Sequence, residues 1–359
     1  MRRRARGHRP RLQQTQFKVG WLITVPPIPL SHLARAMIPA MEIDLPKSQA
    51  GGVCVPAEEA FQKGLAALHA DRRNVALLNI AATFGILAGA IYMLGRYPGP
   101  WSYALAFVAI GLMQYRIVMA CHEAVHKTLL FPLWLNESVG GLHCALVGIN
   151  LLKYRRQHLE HHAARVLEED TDAYIYQPIL QASAGVRRVL SWIFGTAAEL
   201  VQKVSQKGLT VGSTFAPERK TRLYSLAILA AQGVLLAACA LWLFWWYYFL
   251  FWLLPLVTIA TFMNRTRVLV EHGYPHVPRR EGSALSGAPV VTVDFSANLL
   301  EQFFVAPFRF NYHFAHHRVP SIPYYRNADL SHLLEQHGEV ESNVARPSYA
   351  RGLRHVLWN

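Results

Sequence analysis

Residues 223–264 run for 42 positions without an Asp, Glu, Lys or Arg. As one helix such a stretch would be about 63 Å long at 1.5 Å per residue, roughly twice the hydrocarbon core of a bilayer. It is therefore expected to be two membrane-crossing helices joined by a turn. The aromatic run WLFWWYYFLFW, residues 242–252, falls at its middle, where Trp and Tyr suit the far membrane interface. Upstream, residues 74–95 are also free of charge, residues 96–100 offer a short turn, and a second apolar helix starts at Trp101. Composition agrees, with 52% hydrophobic and only 16% charged residues. The expected fold is an all-α membrane protein with four spans, about 74–95, 100–121, 223–243 and 246–265, arranged as two hairpins.

Charge orients these spans. Of 36 Lys and Arg, only Arg96 stands in a connector on the far side, whereas 12 fall in 123–222 and 10 beyond 264. Positive residues stay on the cytoplasmic face, so both termini and the long central loop are expected there. The net charge suits an anionic membrane surface, and nothing resembles a nucleic-acid-binding fold, so no nucleic acid partner is expected. Cys54, Cys121, Cys144 and Cys239 are scattered without a CxxC, which implies no disulfide framework. The first 36 residues hold eight Lys or Arg and no acid. Residues 1–60 are expected to form a basic, disordered extension, 61–335 the membrane domain and 336–359 a tail. The uncharged segment 138–152 reaches only about 22 Å as a helix and is expected to be re-entrant or interfacial rather than a fifth crossing. Residues 186–207 mix basic and apolar positions like a helix lying on the membrane surface.

Nine of the 17 histidines stand in four places: His122 and His126 in HEAVH, His158, His161 and His162 in HLEHH, His272 in EHG, and His313, His316 and His317 in HFAHH. Spacings of i, i+3 and i+4 put side chains on one helical face, and on the four-span topology all nine lie on the cytoplasmic side. A zinc site is full with four ligands, so nine imidazoles supply two ions with open positions, and imidazole also suits iron. HEAVH matches the HExxH of zinc proteases, yet that assignment leaves seven clustered histidines unexplained. A non-redox zinc membrane hydrolase or receptor, the rival from another class, needs only three or four of them. His143, alone in GLHCA, is expected to be a satisfied buried residue.

The three boxes, with EHG between the last two, resemble the membrane fatty acid desaturase family over roughly residues 70–330. The resemblance implies four transmembrane helices under a cytoplasmic helical cap and a non-haem di-iron centre of two Fe ions held by the nine histidines. It also implies O2 as co-substrate, reducing equivalents from an external carrier and a lipid acyl chain as substrate. Arg155, three residues before the second box, and Asp170 and Asp172 after it resemble family positions. Ligating histidines usually donate their other N–H to a carboxylate or carbonyl, which gives the two Asp, and with less force Glu123 and Glu160, a supporting role. Arg155 either pairs with an acidic neighbour or meets a lipid headgroup or donor. Tyr324 and Tyr325 are expected as interfacial anchors. The sequence departs from the acyl-CoA branch in having Val268 where that branch has Asn, with Asn264 a further turn back. The HxxxH spacing of the first box points toward acyl-lipid or bacterial types. There is no HPGG-type haem motif, so the donor is expected to be a separate ferredoxin- or cytochrome b5-like protein. The same scaffold also supports hydroxylation or carotenoid modification.

Overall fold

The computed structural model describes residues 55–164, 169–201, 218–274, 293–339 and 346–359. Among them regular structure is helical throughout, apart from one parallel bridge between Ser296 and Ser348. The basic extension lies outside the described residues as far as position 54, and helix α1 (Val55–Ala70) begins within its last positions. Helices α2 (Ala76–Arg96) and α3 (Pro100–Val125) pack along each other. Tyr97, Pro98 and Gly99 separate them, since proline cannot extend the α ladder, while Pro100 sits at the start of α3, where a missing N–H costs nothing. Most of α3 is buried, because α2, α4 (Leu133–Leu146) and the fourth span all pack on it.

Fourteen residues make α4 about 21 Å long, too short to cross. Its Gly140 backs directly on Ala124 of α3, leaving no room for a side chain. The terminal carbonyls of Ala145 and Leu146 accept from Gln232 Nε2 at 2.8 and 2.9 Å, and Leu146 O also accepts from Trp252 Nε1 at 3.2 Å. A helix end away from water must have such carbonyls filled, and here side chains of the third and fourth spans fill them. Segment 138–152 thus ends inside the bundle, and Gly148, with φ of +70°, turns the chain into α5 (Leu151–Ala163). Two short helices, α6 (Ala173–Leu180) and α7 (Val186–Phe194), follow. Val186, Leu190, Ile193 and Phe194 of α7 are exposed, while Trp192 Nε1 donates to Thr266 Oγ1 at 2.9 Å. The remainder of the expected surface helix, from 202 on, lies outside the described residues.

The third span, α8 (Glu218–Trp242), has no fully buried residue in its apolar window, though Leu235, Leu236 and Cys239 are partly buried against the core. The aromatic run then divides. Trp242, Phe244 and Trp245 are exposed, as an interface belt would be, but Tyr247, Tyr248, Phe251 and Trp252 are core. Tyr248 Oη donates to Gln232 Oε1 at 2.9 Å and Tyr247 Oη to Tyr103 Oη at 3.1 Å. The fourth span opens in π-helical turns, Tyr248–Leu253 and Leu256–Ala260, on either side of Pro255, and becomes α9 (Thr261–Gly273). Among the described residues, four helices are therefore long and apolar enough to cross a membrane: Ala76–Arg96, Pro100–Val125, Arg219–Trp242 and Tyr248–Gly273. The last runs beyond its expected end at 265 because its charges are partnered, Arg265 with Glu199 at 3.1 Å and Arg267 with Glu271.

Beyond it come α10 (Leu299–Phe304), α11 (His313–Arg318), α12 (Asn327–Gln336) and α13 (Tyr349–Trp358). Of the stretch 336–359 expected as a tail, residues 336–339 and 346–359 are described, and 346–359 pack on the fourth span. Gly352 lies close against Val270 and Phe295, and Tyr349 Oη donates to Glu271 Oε1 at 2.7 Å. An aromatic and a small residue at the right register make this end part of the core.

Candidate metal centre

His122 lies in the last turn of α3, and His126 follows one turn later. That helix end is held from outside. Arg155 donates to Ala124 O at 2.8 Å and to Val125 O at 3.0 Å while pairing with Glu137 at 2.7 Å. Asn136 Nδ2 adds a bond to Ala124 O at 3.1 Å. Of the alternatives for Arg155, the acidic neighbour is the one found, and the residue acts on the backbone flanking the histidines rather than on a ring. Helix α5, capped by Asn150 accepting from Lys153 N, presents His158, His161 and His162. His272 stands in the last turn of α9. The start of α11 is fixed by Asp294, whose Oδ1 accepts from Ala315 N at 3.2 Å and whose Oδ2 accepts from Ser331.

All nine histidines converge. The ligand atoms of His122, His126, His158, His162 and His316 lie within 4.8 Å of one another, and so do those of His161, His272 and His317. His313 borders the second group, with its Nε2 2.9 Å from His272 Nε2. The groups adjoin where the rings of His162 and His317 stack at 4.1 Å. Phe310 closes one side against His122 at 4.4 Å between centroids, and Tyr176 stacks on His272 at 5.4 Å.

Carboxylates reach the other ring nitrogens. His161 Nδ1 is 2.5 Å from Asp170 Oδ1, and Asp170 Oδ2 accepts from Tyr176 Oη at 2.6 Å. With Nδ1 engaged, Nε2 is the nitrogen of His161 available to a metal. His122 Nδ1 lies 3.2 Å from Glu123 Oε1, which Thr128 supports at the other oxygen. Asp172 is more distant, 4.0 Å from His158 Nδ1. Burial and neighbouring imidazoles hold His158, His162, His313, His316 and His317 well below the ordinary histidine range. Burial, with the charge of Arg155, pushes His126 down to about 3. For His161 burial pulls the same way, but the Asp170 bond and the charges of Asp172 and Asp170 outweigh it and raise the group. Asp170 resists its own burial through His161 and is held at about 2.

This donor set fits metal ions. The Nε2 atoms of His122, His126 and His316 and both ring nitrogens of His317 are buried without a hydrogen-bond partner among the described residues. Each such atom costs about 1–3 kcal/mol unless something engages it. Neutral imidazoles turned toward common centres are what Zn, Fe, Cu or Ni ions bind.

Several supporting assignments change. Glu160 faces outward and pairs with Arg156 at 2.8 Å, because i, i+4 spacing from Arg156 puts both on the exposed side of α5. Tyr324 is buried, not interfacial: Asn79 Nδ2 donates to its Oη at 3.0 Å. Tyr325 Oη accepts from Arg73 N at 2.7 Å and donates to Asp71 O at 2.8 Å, which ties it to the start of the first span. His143 is buried with Nδ1 2.8 Å from Val139 O in its own helix, as expected. Val268 packs with Ile175, Ile179 and Val356. Sequence reasoning missed Glu271, whose Oε2 lies 3.4 Å from His313 Nδ1 and pairs with Arg267. Its place beside His272 in EHG was the available signal. It also missed Asp294, which no box contains.

Comparison with known proteins is consistent with this geometry. No curated relative matches the chain. The model of the family described as fatty acid desaturase matches residues 98–345, a span that takes in all nine histidines. This protein belongs to the fatty acid desaturase family.

Proposed function

We propose that the protein is an O2-dependent membrane desaturase that introduces a double bond into a lipid acyl chain, using a histidine-held pair of iron ions. The observation that carries this reading is the meeting of nine imidazoles, from four separated segments, in two adjoining buried groups at the ends of the second and fourth spans. A bound iron pair would supply, with O2 and two electrons from a separate ferredoxin- or cytochrome b5-like carrier, the oxidising power that removes hydrogens from adjacent carbons and leaves two waters. The chain's own residues set the conditions. Glu123 and Asp170 accept ring N–H bonds and fix which nitrogen faces inward. Burial keeps bulk water from the imidazoles, and Phe310 and Tyr176 wall them with apolar rings.

The spans are assigned as two hairpins with the histidine-bearing helices as a cytoplasmic cap. The second and fourth spans both end at the histidines, and Arg96 is the only Lys or Arg in the far connectors. Imidazoles on opposite faces of about 30 Å of hydrocarbon could not share a metal pair whose ions, in two-metal sites, stand about 4 Å apart. Tags inserted after Pro132 and after Gly185 are thus expected to be reachable from the cytoplasm, and one at 96–100 not. Opposite accessibility at 132 and 185 would overturn the cap. The function is tested by lipid profiles of host cells carrying the chain or its His161→Ala variant. A new, O2-dependent double bond confined to the unaltered chain is expected; a hydroxylated product without a new double bond would contradict desaturation.

A further inference from the structure

Arg116 lies inside the second span, nine residues before its end at Val125, is 1% exposed, and forms no ion pair among the described residues. Its guanidinium instead reaches three neutral acceptors: Nε donates to Thr83 Oγ1 at 3.0 Å, Nη2 to Asn79 Oδ1 at 2.9 Å, and Nη1 to the carbonyl of Phe303 at 2.5 Å. It also covers the Phe303 ring at 3.8 Å, a cation–π distance. The preceding residue, Tyr115, donates from Oη to Val305 O at 2.5 Å. Two adjacent residues of one span therefore grip the carbonyls on either side of Phe304. A charged group inside a span is expensive and marks a specific task.

The depth of these contacts says what the task is. Arg116 is about 13 Å along α3 from its end at Val125, and Thr83 about 10 Å along α2 from its start. Backbone bonded to side chains rooted that far inside two spans lies below the headgroups, and its carbonyls need protein donors there. Helix α10 meets the same demand at its other end with a closed capping box, Asn298 accepting from Glu301 N and Glu301 accepting from Asn298 N. Between these ends Leu299 is 84% exposed and Leu300 70% exposed. Downstream, Phe310 of the same segment lies against His122.

We propose that α10 is a lipid-inserted lip, hung from the second span by Arg116, with Leu299 and Leu300 seated in the headgroup–acyl boundary of the bilayer. Arg116 is a positioning residue: its planar fork spreads three bonds over three nitrogens in a fixed plane, whereas a lysine would have to make them all from one. The inference rests on the membrane assignment of the four helices and not on the metal or the reaction.

The test uses the full chain in phospholipid nanodiscs, with a nitroxide on Leu300→Cys after Cys54 and Cys239 are replaced by Ser. Accessibility to O2 against a water-soluble nickel chelate is compared with the same label at Leu229 of the third span and at His332 of α12, both exposed. The account expects position 300 to behave like 229, with O2 favoured, and Arg116→Met to move it severalfold toward 332. Tyr115→Phe, which removes one bond and no charge, is expected to move it the same way by less. A label at 300 that resembles 332 in the unaltered chain overturns the proposal, whether or not the Arg116 variant folds. So does a label shielded from both reagents, which would mean protein covers this face, or a position unmoved by both variants. Because the readout needs neither iron nor turnover, its failure would leave the proposed reaction standing, and loss of the reaction would leave it untouched.

Discussion

The two histidine groups share α5 and α11 but differ in the span each borrows and in how its rings are held. The five-histidine group takes His122 and His126 from the second span, whose end is fixed through backbone carbonyls by Arg155 and Asn136. The three-histidine group, with His313 beside it, takes His272 from the fourth span and is held ring by ring, Asp170 on His161 and Glu271 near His313. The first group is oriented by where a helix ends together with Glu123 on the His122 ring, the second by carboxylates on the far side of its imidazoles. A residue that supports geometry through backbone tolerates change better than one that fixes a tautomer, so the groups should fail differently.

The largest effect is expected where they touch. His162 belongs to the first group and stacks on His317 of the second. His162→Ala should lower bound metal in both and cut product formation by more than about 100-fold, the upper end for supporting groups alone. Metal analysis with a turnover assay checks this, and loss from one group only would break the pairing. Next, Asp170→Asn should weaken metal binding about 10–100-fold, while Glu123→Gln, whose bond to its ring is longer, should cost less. Equal losses in a metal titration would erase the contrast.

Acid should sharpen it. His126, His158, His162 and His316 of the first group are lowered in the folded protein, as is His317 of the second, so below the unfolded value of about 6.5 the unfolded chain binds more protons. Their contribution is present above that pH and is lost as pH falls, and protons compete with metal in the same direction. His161 is raised, so its contribution is retained in acid and lost only as pH rises through its folded value, while Asp170 stays ionised down to about 2. Stepwise dialysis from about pH 7.5 to about pH 5 should release metal from the five-histidine group first. Simultaneous release would contradict the difference. The smallest effect belongs to His143→Ala, which should keep substantial activity and all its metal, because that ring bonds only within α4.

The spans were readable because long charge-free runs have few alternatives, and the histidines because i, i+3 and i+4 spacing repeats. The partition between groups was not. His161 and His162 are neighbours in sequence but about 100° apart on α5, and only the crossing of α3, α5, α9 and α11 decides which centre each faces. Glu271 was hidden for the same reason: an acid next to a histidine reads as solvated until Arg267 and Tyr349 are brought against it. Tyr324 looked interfacial because an aromatic after a membrane region usually is, yet Asn79 supplies a buried partner that sequence distance conceals. The terminal helix α13 gave no sign that it would close over Phe295 and Val270.

Elemental analysis of purified protein from iron-replete cells, paired with single-turnover oxidation of a lipid acyl substrate under O2, tests the central claim most directly. The account predicts about two Fe per chain, in line with two adjoining imidazole sites, and product that requires O2 and reductant. One Zn per chain without Fe, or turnover indifferent to O2, would contradict it.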